Sequence, residues 1–254
     1  PATADGQPDY RKVLAESQAA IGRELPDFRF TDSRGKPVSL SDYRGKPLVV
    51  SFVYTGCFQA CPVATQFLGT TVSAARTALG EDGFNVVSIG FNQPFDTPEA
   101  LAAFARQQGV SLDDWVFVAP READVEALLA QFGLTVKATP SGFDHLLQVS
   151  IVDADNRIHR QVYGDAFELP MFIGPLKELL GGQASQQVSL ENIWLKVKLY
   201  CTVYDPTAGR YKFNYSLFVE LFAGITFLGA LIAFMVREGR RQGWFGGAAT
   251  PPRA

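Results

Sequence analysis

Cysteine, histidine and methionine are scarce in this chain. Its 254 residues hold three cysteines, two histidines and two methionines. Three cysteines cannot staple a disulfide scaffold, and the odd count leaves one thiol unpaired within the chain. Two histidines, His145 and His159, and two methionines, Met171 and Met235, exclude a multi-His or Met-rich metal cluster. Cationic clusters are missing as well. With a net charge of −3, nothing marks a nucleic-acid surface. The sequence opens on Pro1 with no initiator Met and no apolar signal core, which reads as a processed chain whose export signal has been removed.

Long apolar runs are also few, and the one that stands out extends from Tyr215 to Val236 with Glu220 as its single charge. About 20 apolar residues cross a bilayer core, so this run reads as a transmembrane helix. Gly229 and Ala233 give it a small-residue face. The aromatic residues Trp194, Tyr200, Tyr204, Tyr211 and Tyr215 crowd ahead of it as an interfacial belt does. Helical spacing from Leu190 to Tyr204 suggests an amphipathic helix on the membrane surface, followed by a turn at 205–209. Arg237, Arg240, Arg241 and Arg253 behind the span balance Lys196, Lys198, Arg210 and Lys212 ahead of it. The nearest flank tips the count toward a cytoplasmic C-terminus, with the main domain outside the cytoplasm.

Ahead of the span, strands alternate with helices. An opening hairpin spans residues 28–40, and the wholly apolar stretch 47–54 reads as a buried parallel strand. A helix over 62–79, a strand over 85–91, and a helix from Thr97 to about Gln108 follow, with Thr97 as N-cap and Pro98 at the first helical position. Then come a short strand at 114–119, a helix over 121–132 closed by Gly133, a hairpin of 146–152 with 157–163, and a helix over 169–180 ended by Gly181-Gly182. This order spells an α/β fold, a thioredoxin-like mixed sheet flanked by helices. The expected organisation is an N-terminal extension (1–23), the sheet domain (24–182), a linker and membrane-proximal amphipathic segment (183–214), the transmembrane helix (215–236) and a cytoplasmic tail (237–254).

The chemistry concentrates in Ser51-Phe-Val-Tyr-Thr-Gly-Cys57-Phe-Gln-Ala-Cys61-Pro62. Two thiols at a strand-to-helix turn lie near the positive end of a helix dipole, which favours thiolate. Thiolate is both the nucleophile of disulfide exchange and a soft metal ligand, so both uses stand open. The C-x3-C spacing has one residue more than a C-x2-C oxidoreductase motif, which lets both sulfurs face a common point. His145 stands at the mouth of the strand 146–152, in a loop that packs against the cysteine turn in a thioredoxin-like fold. His159 is expected on the solvated face of its hairpin, and Cys201 as an apolar filler near the membrane.

The segment Phe52–Pro62, Asp96-Thr97-Pro98-Glu99, and Asp144-His145 leading into Val149-Ser-Ile-Val-Asp153 together resemble the SCO/SenC family over about residues 24–182. The family comprises membrane-anchored, thioredoxin-like copper chaperones for cytochrome c oxidase assembly. The resemblance implies that Cys57, Cys61 and His145 bind one copper ion, Cu(I) or Cu(II), with Asp144 supporting the site. It implies as partners a cytochrome c oxidase subunit or another respiratory copper protein, a thioredoxin-like reductant and the lipid bilayer. Two departures stand out: Ile89-Gly-Phe-Asn-Gln-Pro94 replaces an acidic stretch common in the family, and the anchor follows the domain instead of preceding it. Both point to a bacterial variant in the inner membrane, single-pass, with a periplasmic domain. Zn(II) would accept the same atoms but normally takes four ligands in a structural site. Two other readings stay open: a thiol–disulfide reductase acting on a client's metal-site cysteines, and a structural subunit of a respiratory complex.

Overall fold

A computed structural model describes residues 10–58, 60–111, 115–140, 142–186, 202–205, 210–213 and 215–241. A seven-stranded mixed sheet forms the centre, in the order β2-β1-β5-β4-β3-β8-β9. The strands are β1 (Arg29–Asp32), β2 (Pro37–Ser39), β3 (Leu48–Val53), β4 (Asn85–Gly90), β5 (Val116–Pro120), β8 (Gln148–Val152) and β9 (Ile158–Tyr163). A separate hairpin, β6 (Val136–Thr139) with β7 (Gly142–His145), leads into β8. The helices of this domain are α1 (Tyr10–Gln18), α2 (Ala60–Leu79), α3 (Pro98–Gln107), α4 (Val125–Gln131) and α5 (Leu169–Gln186).

Every residue of β3 is buried, as its almost entirely apolar sequence requires, and the one polar side chain, Ser51, bonds Ser88 Oγ at 2.7 Å. It pairs in parallel with β4, Val49 opposite Val86, and antiparallel with β8, Val49 opposite Ile151. A strand flanked on both edges is held rigidly, and its C-terminal end delivers Tyr54 and the cysteine turn. α2 then returns the chain to β4. Phe67 of α2 meets Phe167 edge-on at 4.9 Å between ring centres, and Phe167 stacks on Phe172 of α5 at 5.9 Å. Thr97 caps α3 by accepting the Ala100 N–H at 3.2 Å, with Pro98 in the first turn.

Four elements differ from the sequence reading. Residues 10–23 belong to the folded domain: Ser17 Oγ donates to Gln148 Oε1 at 2.7 Å and Ala20 is fully buried. α5 continues through Gly181 and Gly182 to Gln186, because neither glycine adopts the left-handed backbone that ends a helix. The β6–β7 hairpin stands where a loop was expected. Thr202–Asp205 and Arg210–Phe213 pair as an antiparallel hairpin, β10 and β11, where the surface helix was expected to reach Tyr204. Thr202, Val203 and Tyr204 on one strand and Tyr211 and Phe213 on the other favour extended backbone and outweigh the helical spacing there. The rest of that expected helix, with Trp194 and Cys201, lies outside the described residues. The last helix, α6 (Ser216–Arg241), contains one stretch, Val219–Gly239, long and apolar enough to cross a membrane.

Candidate metal centre

Past β3 the chain turns sharply. The Cys57 N–H donates to the Tyr54 carbonyl at 3.1 Å, closing the turn. Cys57 is left half-buried on the rim, Phe58 projects into solvent at 93% exposure, and Cys61 is buried at 2% in the first turn of α2. The Cys61 N–H, among the orphan donors of a helix start, donates to Cys57 Sγ at 3.2 Å. The Cys61 and Tyr54 side chains are also hydrogen-bonded to the Cys57 side chain. The Cys57 sulfur is thus tied to both neighbours.

The two thiols are not equivalent. Burial, with the adjacent Cys57 side chain adding to it, pushes the Cys61 thiol up from 9.0 to about 12, against a backbone hydrogen bond from Tyr54. This corrects the expectation that the helix start favours thiolate at both positions. A helix terminus contributes roughly 0.3–2 kcal/mol to a nearby charge, and desolvating a buried ion costs more. Burial wins at Cys61.

Asp96, fully buried, locks the cysteine turn to the loop after β4. Its Oδ1 accepts the Thr55 N–H at 2.8 Å and the Thr55 hydroxyl at 2.7 Å, while Oδ2 accepts the Asn92 N–H at 2.8 Å. Burial raises its carboxyl despite these bonds. Sequence reading found Asp96 within a motif and gave it no role.

His145 ends β7. A carbonyl can only accept, so the 3.1 Å contact between Nδ1 and the Leu146 oxygen assigns the proton to Nδ1 and leaves the Nε2 lone pair open. Burial lowers the imidazole, outweighing the Leu146 carbonyl and the charge of Asp144, so the ring is neutral at pH 7. Its ring meets Phe91 edge-on at 5.5 Å. Side chains alternate along a strand, so Asp144 lies on the other side of β7 from His145 and acts on it by charge through space.

Cys61 and His145 line one narrow cavity of about 30 Å³, together with Ser51, Thr65 and Gln148. The structure thus brings the two cysteines together and sets the imidazole in one small cavity with Cys61. Among the described residues, no three His, Cys, Asp or Glu side chains already stand close enough to hold a metal ion. The donor types fit a soft monovalent ion, two sulfurs and a neutral imidazole, in an open arrangement. His159 lies elsewhere, with Nε2 3.2 Å from Glu178 on the surface.

The comparisons agree with this architecture. A family model described as SCO1/SenC matches residues 16–171. The chain belongs to the SCO1/SenC family. A SCO1 protein homolog of Bacillus subtilis is 25% identical over 148 residues, which cover 57% of this chain and 76% of the relative. A putative peroxiredoxin of Mycobacterium tuberculosis is 30% identical over 145 residues, covering 54% of this chain and 80% of that protein. Among solved structures, copper-bound ScoI of Bradyrhizobium japonicum aligns with a TM-score of 0.53 at 21% identity, over 63% of this chain and 99% of that one. For this SCO1/SenC chain the structural likeness establishes the thioredoxin-like frame.

Proposed function

We propose that this SCO1/SenC chain is a membrane-anchored copper carrier, which receives copper outside the cytoplasm and delivers it to a respiratory cytochrome c oxidase during assembly. Cys57, Cys61 and His145 would hold the ion as cargo. The observation that carries this reading is a neutral imidazole, its Nε2 free, lining the same cavity as the buried Cys61. Disulfide exchange needs two sulfurs and no imidazole; a soft metal ion uses all three. An open set of three donors suits a carrier, because the acceptor's ligands can enter before the carrier's leave. α6 supplies an anchor, and its apolar stretch would span the bacterial inner membrane. Outside the cytoplasm the two thiols oxidise to a disulfide with loss of two electrons, so loading requires a dithiol of thioredoxin type to return them.

The test is an anaerobic Cu(I) titration of the full chain in detergent against a competing chelator, for wild type and His145→Ala. One-to-one binding that weakens about tenfold or more in the variant is expected. Equal retention by the variant would overturn the three-ligand reading. A second reading, thiol–disulfide reductase, draws on the asymmetry of a half-buried Cys57 above a buried, protonated Cys61. Weak copper binding indifferent to His145, together with turnover of a disulfide substrate, would favour it.

A further inference from the structure

One tyrosine hydroxyl links the two halves of the site. Tyr54 follows β3 and is 7% exposed. Its ring packs against Phe91 at 5.5 Å and edge-on against Phe143 of β7 at 5.1 Å. Phe91 in turn meets Phe143 and His145, both at 5.5 Å. Within this aromatic wall the Tyr54 hydroxyl donates to the Cys57 sulfur and accepts the Phe143 N–H at 3.5 Å. β7 comes so close that a Cβ on Gly142 would stand 2.5 Å from the hydroxyl oxygen. Glycine is required there twice over, since its φ is +129°.

We propose that Tyr54 is a positioning residue: its hydroxyl fixes the Cys57 sulfur and the His145 hairpin in one frame, and tunes how strongly that sulfur donates to copper. The inference rests on the copper-carrier reading. A phenylalanine would fill the same aromatic wall, so packing alone does not ask for the hydroxyl. The hydroxyl is paired with a candidate ligand and with the strand that carries another. A donor to a thiolate draws electron density from sulfur and weakens it as a donor. That favours Cu(I) over Cu(II) and moves sulfur-to-copper(II) charge transfer to higher energy. Without the hydroxyl, sulfur donates more strongly and the hairpin loses a tie.

The test compares the full chain in detergent as wild type, Tyr54→Phe and Gly142→Ala. Tyr54→Phe should keep one copper per chain and shift the sulfur-to-copper(II) absorption to longer wavelength. In the metal-free chain its amides at 143–145 should exchange faster. An unchanged absorption band in a variant that still binds copper overturns the proposal, whatever happens to its melting temperature, because a purely structural role leaves the band in place. If Tyr54→Phe does not fold, Gly142→Ala carries the test: unchanged copper loss and unchanged amide exchange at 143–145 overturn the proposal. Absence of copper binding by wild type instead overturns the carrier reading itself.

Discussion

Burial acts on Cys61 and His145 in the same sense, favouring the uncharged side chain in each, with opposite consequences for pH. The folded imidazole titrates below 6.5, so between the two values the unfolded chain binds more protons. Its contribution to stability is present above pH 6.5 and is lost as pH falls through the lowered folded value. Urea midpoints of the metal-free protein should therefore drop between pH 7 and 5, and His145→Gln should flatten that slope. For Cys61 the thiol form is the folded preference, so its contribution holds below pH 9 and is lost as pH rises toward about 12. At neutral pH copper uptake must then displace the Cys61 proton, and affinity should increase with pH. Asp96 presents a different balance. Its carboxylate is uncomfortable in a buried position yet accepts three hydrogen bonds. Asp96→Asn relieves the charge but points an amide NH2 at the N–H of either Asn92 or Thr55. Leaving a buried donor unsatisfied costs about 1–3 kcal/mol, and urea unfolding should show a loss of that size.

At the scale of elements, periodicity made most of the sheet legible. β3 was readable because an almost entirely apolar run bounded by turn residues fits a two-sided buried strand, and α3 because Thr97 and Pro98 mark a helix start. β6 and β7 were not readable. Each has four residues, neither holds a buried one, and the Pro140–Gly142 region between them carries loop signals. Tyr54, which is distant in sequence, meets this hairpin at the Phe143 N–H and at Gly142, the point of closest approach. Cys57, Cys61 and His145 were thus legible as residue types, while the strand that aims His145 was not. Gly142→Ala tests that dependence. A side chain at φ +129° carries about 1–3 kcal/mol of strain, to which the clash with Tyr54 adds. Thermal unfolding should show a destabilisation on the order of 2 kcal/mol or more. An equal effect from Gly181→Ala is not expected, since a Cβ there meets open space.

For the molecule as a whole, α6 bears on where the chemistry takes place. From Val219 to Val236 its large apolar side chains are 40–74% exposed, among them Phe222, Phe227 and Phe234, which water does not tolerate over so long a face. Val219–Gly239 has a mean hydropathy of 2.2, enough to span a bilayer. The protein should therefore stay with membranes through an alkaline carbonate wash. Flanking cations leave orientation nearly balanced, so the side of the membrane is best read at the cysteine turn itself. Cys57 is half-buried while Cys61 is 2% exposed, so a bulky thiol reagent should report on Cys57 alone once Cys201 is replaced by serine. In spheroplasts kept under mild reductant, a membrane-impermeant maleimide should label the Cys201→Ser protein, and Cys57→Ser should abolish that label. Labelling only after lysis would place the turn in the cytoplasm. There the glutathione and thioredoxin pools would keep both thiols reduced, and no dedicated reductant outside the cytoplasm would be needed.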